Sequence, residues 1–360
     1  MRSKSTNVNF RGQTIYVGID VHKKSWKVTI RNEQHELKTF SQDPDPEILA
    51  RHLSRNYPGA SFVSVYEAGF CGFGPCRRLI DLGIDSKVVH PMDIPRSNKD
   101  KILKTDKIDS RKLCRLLFRV DQQYIHIPDE VLEADRALVR QRYRISRDVA
   151  RTKNRLKSLF MQMGIQIPEA MEGSAARLWT KKYVQWMESI EVGQWSTKLS
   201  INRYIELGKM QVSQLKASHR DLVALSRKPR YHEDCERLRL IPGVGLLTAL
   251  VILVQVGDIG RFTTLDKLCF YIGLVPQVHS SGERHTIGRM IKRGRREIKT
   301  HLIECAWIAV RKDPSLSARY LELCKRMDKN KAIIRIARNL LSRIRYVLTN
   351  KEPYQIGLGI

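Results

Sequence analysis

Four carboxylates have the types and positions that a divalent-metal site requires. Asp20 ends the apolar run "VGID", and Glu67 lies near the end of the apolar run "SFVSVYEAG". Asp106 and Asp109, in "KTDKIDSRKL", are three residues apart at a predicted helix start, so they share one face with Cβ atoms about 5–6 Å apart. Carboxylate oxygens held on rigid elements suit hard divalent cations. Two such ions about 4 Å apart can clamp the attacking and leaving oxygens of a phosphodiester.

Each carboxylate taken singly also has a simpler interpretation. Asp20 is explained as a turn residue between two strands, and Asp106 and Asp109 as acids that the helix dipole favours in a first turn. The metal site is the better explanation of the four residues together, because they occur in a strongly basic chain with an α/β pattern.

The segment from 14 to 119 predicts the elements that must position these carboxylates. Helix signals cover 45–57, where "DPDP" places a proline in the first turn, and 74–83, with a further helical pattern from 106 to about 119. Strands in series followed by strands that alternate with helices predict an α/β domain with a mixed sheet. The predicted strands are 15–20, 26–31, 35–40, 61–69 and 86–91.

The charge of the chain points to a polyanionic partner. The 360 residues include 65 Lys and Arg against 37 Asp and Glu, a formal net charge of +28. Such an excess favours nucleic acid, because cations that neutralise phosphates release condensed counterions. The competing class, a basic membrane-binding protein, is disfavoured because the longest apolar stretch, 246–256, is about half the ~20 residues that span a bilayer. That stretch is predicted to be a buried helix or strand.

The start of the chain and the cysteines indicate the compartment. The opening "MRSKSTNVNFRGQ" has no apolar core of a signal peptide, so we expect a cytoplasmic protein. The seven cysteines are odd in number and lack the paired CxxC spacing of a zinc site, which favours reduced structural thiols.

A long charged helix is predicted over 128–165, with a returning helical segment over 173–230. In the helix predicted over 128–165, the apolar residues are spaced seven residues apart and then alternately four and three apart, with Arg142 at the skipped position. This spacing is typical of a heptad seam. The pattern predicts a coiled coil or a helical hairpin arm, and an amphipathic helix packed on its own domain explains it equally well. The seam consists of Leu138, Ile145, Val149, Thr152, Leu156, Leu159 and Met163.

Three features mark the last third of the chain. "IPGVG" (241–245) is an apolar turn that opens a helix, where backbone amides can hold a phosphate, although a plain turn explains it as well. "GLVPQVHSSGE" (273–283) is predicted to be a loop that carries Ser280 and Ser281. "GRMIKRGRREIKTH" (288–301) is predicted to be at least partly a basic loop aimed at phosphate, with a solvated charged face as the alternative.

These stretches together carry a resemblance to a known family. The chain resembles the DEDD transposases of bacterial and archaeal insertion sequences of the IS one-ten type. The motifs that carry the resemblance are "VGIDVHKKSWKV", "YEAG" and "KTDKIDSRKL", together with the long block at 238–307. The resemblance implies an RNase H/RuvC-like catalytic domain over 1–125, a helical coiled-coil arm over 126–232, and a mainly helical C-terminal transposase domain over 233–360.

The resemblance also implies a mechanism and partners. Asp20, Glu67, Asp106 and Asp109 would hold Mg²⁺, with Mn²⁺ as a substitute, and Ser281, rather than its neighbour Ser280, would attack a DNA phosphate and form a covalent phosphoserine link. A structured guide RNA encoded by the element would pair with double-stranded target and donor DNA. A homo-oligomer, a dimer or tetramer associated with the nucleoid when active, would cover both duplexes. The candidate nucleic-acid contacts are Lys23, Lys24, Lys104, Arg284, Arg289, Lys292, Arg293, Arg295 and Arg296.

Two other functions are compatible with the residues. In a RuvC-like nuclease that resolves branched DNA, water would attack the phosphate and Ser281 would be a bystander. A non-catalytic RNA-binding protein would explain the charge but not the complete set of carboxylates.

Overall fold

The computed structural model describes residues 9–95, 106–171, 179–281, 284–291, 294 and 296–356. The chain divides into two compact units, Met1–Pro128 and Asp129–Ile360. The second unit contains both the predicted arm and the predicted C-terminal domain.

The first unit is built on a five-stranded mixed sheet with strand order β3-β2-β1-β4-β5. Strands β1, β2 and β3 are antiparallel neighbours, whereas β4 runs parallel to β1 and β5 runs parallel to β4. The predicted strands and helices are confirmed with small shifts at their ends. They are β1 (Thr14–Val21), β2 (Trp26–Arg31), β3 (Glu36–Gln42), α1 (Pro46–Asn56), β4 (Ser61–Glu67), α2 (Gly74–Asp81), β5 (Asp85–Val89) and α3 (Asp106–Leu116).

Helices cover both faces of this sheet. Alternate residues of a strand project to opposite faces, so Ile15, Val17 and Ile19 of β1 are fully buried on one face, in a core with Leu49 of α1 and Leu79 of α2. Helix α3 covers the opposite face. The architecture agrees with the predicted α/β domain, and β4 is an interior strand, as expected for the strand that carries Glu67.

The second unit is mainly helical. Its elements are α4 (Glu130–Gln162), α5 (Lys181–Ser189), α6 (Trp195–Ser226), α7 (His232–Arg239), α8 (Leu246–Val256), α9 (Leu265–Ile272), β6 (Pro276–Ser281), β7 (Arg284–Met290), α10 (Arg296–Lys312), α11 (Pro314–Cys324) and α12 (Lys329–Asn350).

Helices α4 and α6 form an antiparallel pair. Thr152 of α4 donates a hydrogen bond to the side chain of Gln211 in α6 at 2.8 Å, and Tyr231, beyond the end of α6, donates one to Asp135 near the start of α4 at 2.6 Å. The predicted long helix is therefore present and the chain returns along it. A coiled coil in the strict sense stays a prediction.

Helix α8 is the apolar stretch 246–256, and its residues from 249 to 256 are buried. The turn before it contains Gly243, whose φ is +89° and whose Cβ, if it had one, would lie 2.5 Å from the carbonyl oxygen of Cys305 in α10. This close approach explains the glycine in "IPGVG". A phosphate at the start of α8 stays a prediction.

The C-terminal end of α8 is held by an arginine from α4. Arg136 is 4% exposed and donates hydrogen bonds to the carbonyl oxygens of Val254 and Gln255, both at 3.0 Å. A cation at a helix C-terminus is favoured by the helix dipole, and these carbonyls have no partner within their own helix. Arg136 therefore fixes α4 to α8.

We expect Arg136→Met to lower the free energy of unfolding of the second unit by about 2 kcal/mol, because it removes charged hydrogen bonds and leaves two buried carbonyls without this donor. Chemical denaturation followed by circular dichroism measures the change. Arg239→Met is the control, since Arg239 is an exposed arginine paired with Glu236 and should cost less than about 1 kcal/mol. Equal losses in the two variants would contradict the role of Arg136.

The predicted loop over 273–283 is wrong in part, because Pro276–Ser281 forms β6. This strand pairs with the antiparallel β7, and Ser280 is opposite His285 while Ser281 is opposite Arg284. The segment 288–301, predicted to be at least partly a basic loop, begins in β7 (Arg284–Met290) and ends in α10, which starts at Arg296. The serines and glycine suggested a turn, but backbone pairing across a hairpin outweighs the weak turn preference of single residues.

Two further expectations concern the whole described chain. In the residues described, no helix is both long and apolar enough to cross a membrane. All seven cysteines are free thiols, five of them buried, as expected of structural residues. Burial raises the pKa of Cys114 to about 12, which keeps that thiol protonated.

Candidate active site

Asp20 and Glu67 follow the last registered pair of two adjacent parallel strands. Strands β1 and β4 pair from Thr14 opposite Ser61 up to Ile19 opposite Tyr66, and the next residue on each strand is the carboxylate. Neighbouring strands lie about 4.8 Å apart and residues in register project to the same face. Ile19 and Tyr66 are fully buried. Glu67 is exposed, and the side chain of Asp20 is 18% exposed. The strands thus end in charges where the core ends.

A glycine lets α3 lie directly against the sheet. A Cβ on Gly18 would lie 2.2 Å from the carbonyl oxygen of Ser110 and 2.3 Å from the amide nitrogen of Cys114. The thiol of Cys114 in turn donates a hydrogen bond to the carbonyl oxygen of Tyr16 at 3.3 Å. Because Gly18 and Asp20 are two residues apart on one strand, the face that α3 covers is also the face toward which Asp20 projects.

The direction of α3 brings its start toward the carboxylates. Ser110 lies against Gly18 and Cys114 bonds further back along β1, at Tyr16, so α3 runs antiparallel to β1. Leu113 packs with Val65 of β4, and Asp109 lies one turn before Leu113, toward the end of β4 that carries Glu67. Asp106, the first residue of α3, is one turn before Ser110 and thus nearer the end of β1 that carries Asp20.

Two polar contacts fix α3 in this position. The hydroxyls of Ser110 and Thr29 on β2 are hydrogen-bonded at 2.9 Å, and both residues are fully buried. Arg111 donates a hydrogen bond from Nε to Glu36 on β3 at 2.8 Å. Burial raises the pKa of Glu36, but hydrogen bonds from Arg111 and Thr39 outweigh it and lower the pKa overall. Glu36 is therefore a carboxylate that anchors α3 at neutral pH.

Basic side chains accompany the carboxylates. His22 Nε2 lies 3.2 Å from Asp20 Oδ2, and Lys112 Nζ lies 3.8 Å from Asp109 Oδ1. Lys23 and Lys24 are exposed in the turn between β1 and β2, three and four residues after Asp20. His22 is not among the predicted site residues. The sequence signal that could have identified it is its position two residues after Asp20, at the end of the same strand.

The predicted serine lies in the second unit, at the end of β6, where Ser281 is the last residue and is paired with Arg284. Arg289 lies on β7 and Arg296 opens α10. Lys104, Lys292, Arg293 and Arg295 lie outside the described residues, and the described side chains do not include those of Asp106, Ser280, Ser281, Arg284, Arg289 and Arg296.

Comparison with known proteins decides the family. Residues 17–165 match a model of DEDD transposases of the IS110 type, and residues 235–321 match the model "Transposase IS116/IS110/IS902 family". A putative transposase of Sinorhizobium fredii is 31% identical over 297 residues, which cover 81% of this chain and 71% of the relative. The chain belongs to the IS110/IS116 family of DEDD transposases.

Other relatives agree with this assignment. The transposase for insertion sequence element IS1533 from Leptospira borgpetersenii is 28% identical over 69% of this chain and 72% of its own length. The transposase for IS1111A from Coxiella burnetii is 26% identical over 78% of this chain and 76% of its own length. As an IS110-family transposase, the protein is an enzyme that cleaves and rejoins DNA.

The DEDD domain of this transposase suggests the use of a divalent metal. Asp20, Glu67 and Asp109 provide only oxygen donors, and the first two lie at the ends of adjacent strands, so the donor chemistry fits a hard divalent ion. Within the described side chains, which do not include Asp106, no three His, Cys, Asp or Glu residues are grouped closely enough to hold a metal.

Proposed function

We propose that this transposase is a site-specific recombinase that cuts and rejoins DNA through a covalent link to Ser281, with Mg²⁺ held by Asp20, Glu67, Asp106 and Asp109. The observation that carries the proposal is the pair of carboxylates at the ends of β1 and β4, under the start of α3. Paired strand-end carboxylates with a helix that adds two more acids give the oxygen donors that phosphoryl transfer needs.

The proposed reaction keeps the energy of the cleaved DNA phosphodiester bond in a serine–phosphate ester, so that the strand can be rejoined. The Ser281 hydroxyl attacks a DNA phosphorus, an O–P bond to the serine forms, and the P–O bond to one deoxyribose breaks. In net terms the serine proton is transferred to the released deoxyribose oxygen, and rejoining reverses these changes with another strand end. Mg²⁺, or Mn²⁺ in its place, when bound, neutralises charge on the phosphate and lowers the pKa of the attacking hydroxyl.

The residues of the chain have separate tasks in this scheme. Asp20 and Glu67 fix the position of the site on the sheet, and α3 completes it with Asp106 and Asp109. Lys23 and Lys24, exposed in the adjacent turn, bind the DNA backbone by charge. Ser281 belongs to the segment 235–321 that matches the second family model, and the assignment over Ser280 follows the family motif.

We also propose that target choice is guided by a structured RNA and that several subunits act together. The net charge of +28 supports a large nucleic-acid partner, and base pairing would supply specificity that backbone contacts do not. The long α4–α6 pair offers an assembly surface for a dimer or tetramer.

A cleavage assay tests the proposal. Purified protein is incubated with Mg²⁺, RNA transcribed from the flank of the element, and labelled junction DNA, and the products are separated on a denaturing gel. We expect a protein-linked DNA band that requires the RNA and disappears in Ser281→Ala and Asp106→Asn. Ser280→Ala is the matched control and should retain the band.

Other outcomes overturn parts of the proposal. Free cleaved DNA without an adduct that persists in Ser281→Ala would show a RuvC-like nuclease that uses water. An adduct that forms without RNA would remove the guide, and an adduct lost in Ser280→Ala but kept in Ser281→Ala would move the nucleophile by one residue.

A further inference from the structure

The middle of α4 is strongly basic. Between residues 136 and 157 it contains nine Lys and Arg and a single acid, Asp148. Arg136 is used inside the unit to hold α8. The other cations therefore need a separate explanation.

Four of these arginines form a stripe along one exposed face, which we call the arginine stripe: Arg144, Arg147, Arg151 and Arg155. Their spacings of 3, 4 and 4 residues place them on one side of a helix, and all four are exposed. Val149, Thr152 and Leu156, on the opposite side, are buried. At 1.5 Å per residue, the stripe is about 17 Å long.

Three of the four arginines of the arginine stripe have no carboxylate partner in the part of the protein that the structure describes. Arg151 is paired with Asp148, and the guanidinium of Arg147 lies 6.0 Å from the ring centre of Tyr143. Among the residues that the structure describes, no carboxylate lies within ion-pair distance of Arg144, Arg147 or Arg155. By contrast, the exposed arginines Arg78, Arg203, Arg239 and Arg319 are each paired with a glutamate of the protein.

Like charges three and four residues apart on a helix repel one another, so an unneutralised stripe destabilises the isolated helix. A phosphate backbone removes this repulsion, because each guanidinium can donate two parallel hydrogen bonds to phosphate oxygens. Successive phosphates of one DNA strand advance about 3.4 Å along the axis, so a stripe of about 17 Å spans roughly five of them.

We infer that the arginine stripe of α4 binds the phosphate backbone of double-stranded DNA. The partner is DNA because the family acts on DNA, and the inference rests on the proposed function in taking the recombined duplex as that DNA. The contact is to the backbone alone, so it positions the duplex without reading its sequence.

The salt dependence of binding tests this inference. Full-length protein and a linear duplex of mixed sequence are mixed in EDTA, where no cleavage is expected, and the affinity is measured from about 50 to 200 mM KCl. The variant R144Q/R147Q/R151Q/R155Q keeps good helix formers in α4. The control R78Q/R203Q/R239Q/R319Q removes the same number of charges from paired, exposed sites.

Each phosphate contact contributes about 0.9 to the slope of log affinity against log salt. We therefore expect the slope to become shallower by about 3 to 4 in the stripe variant and to change by less than about 1 in the control. An unchanged slope in the stripe variant, or an equal change in both, overturns the inference. If the fourfold variant does not fold, as judged by circular dichroism, R144Q/R155Q should reduce the slope by about 2.

A hairpin RNA as second ligand separates the two kinds of nucleic acid. Loss of RNA binding with unchanged DNA binding would show that the arginine stripe serves the guide and would overturn the assignment to DNA. Because the assay measures binding without cleavage, failure of the Ser281 adduct leaves its result unaffected, and a failed stripe leaves the adduct assay unaffected.

Discussion

Replacing Gly18 by alanine is expected to abolish DNA cleavage and to destabilise the first unit by about 3 kcal/mol, the upper part of the usual range for overpacking. The added Cβ would lie 2.2 Å and 2.3 Å from backbone atoms of Ser110 and Cys114, and backbone cannot rotate aside as a flexible side chain does. Helix α3 must therefore shift away from β1. Asp109 and the backbone of Asp106 would move with it, away from the strand ends that carry Asp20 and Glu67.

The measurement combines thermal unfolding with the cleavage assay at a temperature where the variant is folded. Gly193→Ala is the matched control, because a Cβ there meets nothing within 4 Å and the φ of Gly193 is not positive. It should retain both stability and activity. A Gly18→Ala protein with full cleavage would show that the packing of α3 on β1 is not needed to position the proposed metal-binding carboxylates.

Asp313→Asn is expected to lower the free energy of unfolding of the second unit by about 3 kcal/mol, because it breaks a buried ion pair and leaves a buried guanidinium uncompensated. Arg343 donates a hydrogen bond from Nη1 to Asp313 Oδ2 at 2.7 Å, and the two side chains are 5% and 0% exposed. The Tyr354 hydroxyl also donates to Asp313, while Arg343 donates to Ser315. Asparagine can still accept from the amides of Ser315 and Leu316 as the cap of α11, so the loss reports the charge.

The same pair predicts a pH dependence. Burial raises the pKa of Asp313, but hydrogen bonds from Tyr354 and the Leu316 amide and the charge of Arg343 outweigh it, so the pKa is lowered. The stabilisation is therefore fully present above the ordinary aspartate pKa of about 3.9 and is lost as the pH falls through the lowered value in the folded protein.

Urea unfolding at neutral and at acidic pH measures both effects. Glu322→Gln is the control, since Glu322 pairs with exposed Arg319 and should cost less than about 1 kcal/mol. The wild type should lose more stability than Asp313→Asn on acidification. Parallel curves for the two proteins would contradict the linkage to Asp313.

The sequence is sufficient for the strands and for the carboxylates at their ends. The patterns of β1 and β4 can be recognised from short stretches of sequence, because the apolar residues of each strand end at the edge of the core and an acidic residue follows directly. The role of Gly18 is not readable from its neighbours, since its contacts are with a helix more than 90 residues later. The pairing of Arg343 with Asp313 is hidden for the same reason, because 30 residues separate them and each looks like an ordinary surface charge.

The strand β6 shows where local preference misleads. Ser280 and Ser281 before a glycine are typical of a turn, but the strand is stabilised by its pairing with β7, which single-residue preference does not include. Conversely, the charge of α4 is plain in the sequence, whereas its division into a buried Arg136 and the exposed arginine stripe depends on which face packs against the rest of the unit.

The packing of α3 on β1 and β2 determines the order in which the parts of the candidate site form during synthesis of the chain. The hydroxyl contact between Thr29 and Ser110 spans 81 residues, so a chain growing from its N-terminus holds Asp20 and Glu67 long before α3 exists. On the proposed assignment, two of the four metal-binding acids arrive with that helix. On the same assignment, a nascent or truncated chain that ends before α3 lacks two of the metal-binding acids, and DNA cleavage must also wait for Ser281 in the second unit.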